Sequence, residues 1–173
     1  MADKVDAILD QWARERPDLD ASSMGILGRL SRVRNATAAR MGENFARHGL
    51  NNGEFDLLAT LRRSGAPYAL TPGQLVETSM VTSGAITNRL DRLEGRGLIS
   101  REVDPKNRRS VIVTLTPDGK RTIDAAVTDH VAVQHALLDP LNAKERADLT
   151  RLLTRWMAAL ERADIPTGEG NDR

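Results

Sequence analysis

The stretch from Leu70 to Pro117, LTPGQLVETSMVTSGAITNRLDRLEGRGLISREVDPKNRRSVIVTLTP, constrains this chain more than any other. It reads as two short helices, a turn between them, and a two-stranded ribbon. Thr71 precedes Pro72 and lies three residues before Gln74, a capping box with proline at the first helical position. Leu75 and Val76 give this helix a short apolar face, and the polar run Glu77, Thr78, Ser79 ends it. A second start signal stands at Thr82 and Ser83. Ile86, Leu90 and Leu93 then recur at helical spacing until Gly95 and Gly97 stop the helix. Its other face carries Ser83, Thr87, Asn88 and Arg92, small, polar or basic groups that can reach base edges or phosphates. The arrangement is a helix-turn-helix pattern with a candidate recognition helix.

The ribbon follows at once. Ile99, Arg101 and Val103 alternate with Ser100 and Glu102, and beyond a turn Val111, Val113 and Leu115 alternate with Ile112 and Thr114. Between the strands lies DPKNRRS, whose Lys106, Arg108 and Arg109 place three cations at the tip. A hairpin this basic, directly after a helix-turn-helix, has the character of a wing that enters a minor groove, where guanidinium groups meet the negative potential. The helix SGAITNRLDRLEGRGLISR and the wing DPKNRRSVIVTLTPDG resemble the winged-helix domain of the MarR family of bacterial transcription regulators. A typical member has an acid before the paired arginines; here that position is Asn107. The resemblance implies a mainly α fold with a small β-wing, a winged helix-turn-helix flanked by N- and C-terminal dimerisation helices.

Charge distribution agrees with a nucleic-acid partner. Net charge is only +1, but from Ser79 to Arg121 nine Lys or Arg stand against five Asp or Glu, a net of +4, while the remainder carries 16 against 19, a net of −3. The positive charge therefore gathers in the recognition helix and wing, where phosphate neutralisation needs it. Aromatic content of 3% argues against a stacking platform for single strands, so double-stranded DNA is the expected partner. The absence of cysteine removes disulfides, thiolate metal sites and thiol-based sensing. MADKVDAILDQW lacks the apolar core of a signal peptide, and no segment approaches the ~18 apolar residues of a membrane span. A cytoplasmic protein with no membrane partner is expected.

In chain order, Val5, Ile8, Leu9 and Trp12 predict an extra N-terminal helix within residues 1–16, which Pro17 ends. A family-type domain is expected over 20–163. Within it a long helix over about 20–46 turns Ile26, Leu27, Leu30, Val33, Thr37, Met41 and Phe45 to one buried face, with Arg29, Arg32, Arg34 and Arg40 mostly solvated off it. The winged helix-turn-helix is expected over about 52–116, opening at Asn51 with Glu54, with Phe55, Leu58, Ala59 and Leu61 as core candidates and Asp56 an acid among them. Ala66-Pro67 begins a loop into the DNA-binding motif. Helices over about 117–163 follow, first from Thr116-Pro117-Asp118 to about Leu138, then from Asn142 with Glu145. In the last, Leu149, Leu152, Leu153, Trp156, Met157 and Leu160 form the clearest amphipathic stripe of the chain. The tail over 166–173, PTGEGNDR, has a disordered composition. Apolar stripes at both ends exceed what one subunit can cover, so a homodimer is expected. Its paired recognition helices would read a pseudo-palindrome with half-sites roughly 34–36 Å apart.

No catalytic constellation stands out, and an enzyme is not expected. His48, His130 and His135 have no i, i+4 partner of a helical metal pair, Ser22, Ser23 and Ser79 have no evident base, and no glycine-rich phosphate loop is present. Neither metal nor cofactor is expected. The resemblance narrows to a urate-responsive branch of the MarR family with an extra N-terminal helix, carried by WARERPDLD and EFDLLATLRRSG. It implies an effector site at Trp12, Asp56 and Arg89. The branch's second acid falls at Gln74, an amide, which weakens a urate response or shifts the effector to another phenolic or purine anion. The set is physically coherent: Trp12 can stack on a planar purine, Arg89 can pair with an anionic oxygen, and Asp56 can accept a ring N–H and hold Arg89. The expected function is a repressor released from its operator by such an anion. A ligand-independent regulator with a rigid Trp12–Asp56–Arg89 core, or an interaction protein that has lost DNA binding, are the alternatives.

Overall fold

A computed structural model describes residues 2–79, 86–105 and 107–162, with the backbone alone at Arg108 and Arg109. The tail from Pro166 lies outside the described residues. The chain divides at Val133 and Gln134 into two compact units.

In the first unit two helices, one of 12 and one of 26 residues, precede a winged helix. Helices α1 (Lys4–Glu15), α2 (Ser22–Arg47) and α3 (Asn52–Arg63) precede strand β1 (Ala69–Leu70) and helices α4 (Pro72–Thr78) and α5 (Ile86–Gly95). Strands β2 (Ile99–Asp104) and β3 (Asn107–Leu115) lead into α6 (Pro117–Leu138), whose last turn belongs to the second unit. The antiparallel sheet has the order β1-β3-β2. The alternation in β2 and β3 becomes a register from Ile99↔Leu115 to Val103↔Val111, with an irregularity before Asp104↔Asn107.

Strand β1 falls where the sequence predicts a loop: Ala69 and Leu70 pair with Thr114 and Val113. Two residues carry no period, and only the free edge of β3 makes them a strand.

The core forms where the faces of these elements meet. Leu57, Leu58 and Leu61 of α3, Leu75 of α4, Ile86, Leu90 and Leu93 of α5, Leu98, Ile99, Val113 and Leu115 of the sheet region, and Ile123 and Ala126 of α6 are buried together. Three predicted caps are present as reciprocal capping boxes, at Asn51 with Glu54, Thr71 with Gln74, and Asn142 with Glu145. Leu57, absent from the expected core, is fully buried beside Leu58, while Phe55 and Ala59 are only partly buried.

Helix α1 is seated on α2 by close approach and by charge. Carbon atoms built at Gly25 and Gly28 would stand 3.2 Å from Leu9 and 3.4 Å from Val5, so these glycines let the helices touch. Arg29, expected to be solvated, instead joins both acids of the α1 cap: Nε donates to Asp3 at 3.0 Å, and Nη2 bonds Asp6. Asp3 and Asp6 also form a capping box with each other. Backbone N–H donation, followed by Arg29, holds both carboxyls below the usual value of 3.8. A depressed carboxyl pKa stabilises the fold above the unfolded value, and that contribution disappears as pH falls through the folded value. We therefore expect the seating of α1 on α2 to be fully supported by these bonds above pH about 3.8 and to weaken below it. Far-UV dichroism and tryptophan fluorescence on acid titration should show a transition that Arg29→Ala moves upward in pH.

The α2 stripe differs from expectation. Phe45 is buried and Met41 packs on the core, but Ile26, Leu27, Leu30 and Val33 are exposed, Ile26 by 67%. The period locates an apolar face without showing what covers it.

In the second unit, α7 (Ala143–Leu160) follows the cap at Asn142. Arg146 ties its first turn to the preceding bend by donating to the Leu141 carbonyl at 2.8 Å. Leu149, Leu152, Met157 and Leu160 are exposed along one side.

Candidate DNA-binding surface and effector site

The sequence of α5 sorts its side chains into three directions. Ile86, Leu90 and Leu93 are buried against the core, while Thr87, Asn88 and Arg92 are exposed on the opposite side. Thr82 and Ser83, and Lys106 in the wing, lie outside the described residues, and β3 carries Arg108 and Arg109 with their backbone alone described. The surface that can be described therefore presents a hydroxyl, an amide and a guanidinium on one helix face, a donor and acceptor set suited to base edges and phosphates.

Arg89 takes the third direction, half-buried and turned toward α3. Its guanidinium lies on the backbone of Gly53, where an added Cβ would stand 2.6 Å from Cζ and 2.9 Å from Cδ. Nη1 is buried and has no hydrogen-bond partner among the described residues. Asp56 is one turn further along α3; its side chain is 17% exposed, and Oδ1 is 3.9 Å from Arg63 Nη1. Arg89 is thus set on the first turn of α3, at Gly53, and Asp56 follows on the next turn. Trp12 belongs to α1, which is seated on α2, and is 39% exposed. Two grooves along that seam are lined by residues such as Val5, Leu9, Met24 and Leu27, and neither of the two is lined by Trp12.

Gln74 is committed to its cap. Its Oε1 accepts the Thr71 N–H at 2.9 Å, and its own N–H donates to Thr71 Oγ1 at 3.3 Å.

Two further arginines hold α5, through contacts that local sequence pattern does not indicate. Arg96, at the helix end, reaches the buried Glu54 at 3.5 Å and lies 3.2 Å from the position of a Cβ on Gly49. Arg101 of β2 reaches back to Asp91 and Glu94 of α5 at 2.7 and 2.6 Å. Hydrogen bonds from Arg101 hold Glu94 below the usual carboxylate range. The available signal was a pair of acids at i, i+3 facing a strand that begins four residues after the helix.

His130 is half-buried against the stacked rings of Phe45 and Phe55, at 5.1 and 4.9 Å. Burial lowers its pKa and so favours the neutral imidazole. Among the described residues, no helix is long and apolar enough to cross a membrane, and no group of His, Cys, Asp and Glu could hold a metal.

Known proteins resemble this chain in sequence and in fold. The MarR family model matches residues 50–111. The regulator PecS of Dickeya dadantii is 41% identical over 152 residues, covering 88% of this chain and 92% of that protein. Among solved structures, Bordetella bronchiseptica BpsR, whose DNA binding is regulated by 6-hydroxynicotinic acid, superposes with a TM-score of 0.66 at 27% identity, covering 78% of this chain and 91% of that one. A mutant Escherichia coli MarR complexed with operator DNA gives 0.65 at 25% identity, with 83% and 96% covered. On this likeness, which runs from the helices through the wing, the chain belongs to the MarR family of winged helix-turn-helix, DNA-binding transcriptional regulators.

Proposed function

We propose that the protein is a homodimeric repressor that leaves a pseudo-palindromic operator when a small aromatic anion, such as urate or a related phenolic or purine anion, binds beside Arg89. The observation that carries this reading is the Arg89 guanidinium, turned inward from the recognition helix onto Gly53, with Nη1 unpartnered among the described residues. An anion that pairs with it pulls on α5 directly. The ligand in the BpsR study, 6-hydroxynicotinic acid, is of the same chemical class. Asp56 on the neighbouring turn supplies an acceptor for a ring N–H, and Trp12 a stacking face when the effector is bound. The engagement of Gln74 in its cap favours an effector that needs one acid rather than two.

Support for the dimer comes from the apolar faces left open on α2 and α7. An apolar row left exposed along a helix, as on each of these two, marks an interaction surface. A two-fold axis through it sets two α5 helices roughly 34–36 Å apart, one DNA turn. DNA contact is assigned to Thr82, Ser83, Thr87, Asn88 and Arg92, with Lys106, Arg108 and Arg109 at the wing.

Two titrations test the reading. Arg92→Ala is expected to weaken binding to all duplexes alike and to reduce the slope of log affinity against log salt by about 1, the signature of a lost phosphate contact. Asn88→Ala is expected to cost about 1–3 kcal/mol and to relax sequence preference. Equal loss of preference in both variants contradicts these roles. A saturable change in tryptophan fluorescence with urate or 6-hydroxynicotinate separates the effector reading from a ligand-independent regulator of the same fold, which gives none.

A further inference from the structure

Arg101 lies in the middle of β2, paired in register with the buried Val113. Its side chain leaves the strand on the same side as Ile99, two residues earlier, which is buried in the core. Nε and Nη2 donate to Glu94 Oε2 at 2.9 and 2.6 Å, and Nη2 stands 2.7 Å from Asp91 Oδ1. One guanidinium therefore holds two carboxylates on successive turns of α5. The arginine side chain is only 28% exposed, so its charge is spent within the protein. Asp91 is 53% exposed, on the same helix as Thr87, Asn88 and Arg92. An uncompensated carboxylate on such a surface repels phosphates.

We propose that Arg101 is a positioning residue for DNA recognition: its bonds to Asp91 and Glu94 fix the angle between the recognition helix and the wing, so that both engage one duplex. The inference rests on the reading that α5 and the wing contact DNA. It has a consequence opposite to that of simple electrostatics. Removing both acid charges makes the surface more positive and, by charge alone, tightens binding to every duplex equally. With the clasp opened, the wing is no longer aimed. Non-specific binding then rises while specific binding falls.

The test uses the double variant Asp91→Asn/Glu94→Gln in the full chain. Affinity is read by anisotropy against a duplex that the wild-type protein selects from a random pool and against a scrambled duplex. We expect the specificity ratio to fall about tenfold or more, within the span that separates specific from non-specific binding. Amide hydrogen exchange of β2 and β3 in the free protein is expected to quicken. It reads the clasp without DNA, so a failure of the DNA-contact reading is told apart from a failure of this one. The swap Arg101→Glu/Glu94→Arg should restore part of both readouts. An unchanged ratio with unchanged wing exchange overturns the proposal, as does exchange that quickens while the ratio holds.

Discussion

Gly119→Ala should cost about 3 kcal/mol, the upper end for overpacking, because the new methyl meets backbone and not a side chain that can turn away. A Cβ at this position stands 2.8 Å from the carbonyl carbon of Leu98, closer still to its oxygen, and 3.1 Å from Leu115 Cδ2. The start of α6 cannot retreat, because three bonds brace it there. Thr116 N–H donates to the Leu98 carbonyl at 3.2 Å, Thr116 Oγ1 donates to the Gly97 carbonyl at 2.7 Å, and Gly119 N–H donates to Thr116 Oγ1 at 3.0 Å. For a chain of this size the loss corresponds to a fall in Tm of about 6–12 °C, compared at equal protein concentration because association also shifts Tm. A shift under about 2 °C would show that the junction of sheet and helix is looser than the geometry implies.

Arg89→Met should have the opposite pattern, with stability kept and response lost. Methionine fills the space over Gly53 with a flexible apolar chain and removes a buried N–H that has no partner among the described residues. An unsatisfied buried donor costs about 1–3 kcal/mol, so its removal leaves Tm unchanged or raises it. If the effector acts through this guanidinium, the roughly 5- to 150-fold weakening of operator binding that such coupling delivers should shrink to less than about twofold. A structural arginine would lower Tm on removal and leave the response intact. The two readouts, thermal melting and operator affinity with and without effector, therefore move independently. Gly53→Ala is a milder version of the same test, since Arg89 can swing away from a methyl there while Leu98 cannot at Gly119.

Local signals in the sequence carried much of the fold. The capping boxes at Asn51, Thr71 and Asn142 each depend on residues three apart, and all three are legible because cap and partner share one turn. The inward row Ile86, Leu90, Leu93 and the outward Thr87, Asn88 and Arg92 follow from helical period alone. Missed features depend on distant parts of the chain. Arg29 reads as solvated because its partners, Asp3 and Asp6, are on another helix. Arg101 reads as one more alternating strand residue, and β1 as loop, until β3 and α5 are set beside them. Gly53 and Gly119 carry no signal at all: their importance lies in what a missing methyl makes room for.

The most direct test is a fluorescence-anisotropy titration of the protein onto duplex from its own upstream region, at two salt concentrations, with and without urate. Tight, salt-sensitive binding that urate weakens is the predicted result, with the weakening absent in Arg89→Met. Tight binding that neither urate nor 6-hydroxynicotinate weakens would contradict the effector site at Arg89, and no duplex binding at low salt would contradict the account as a whole.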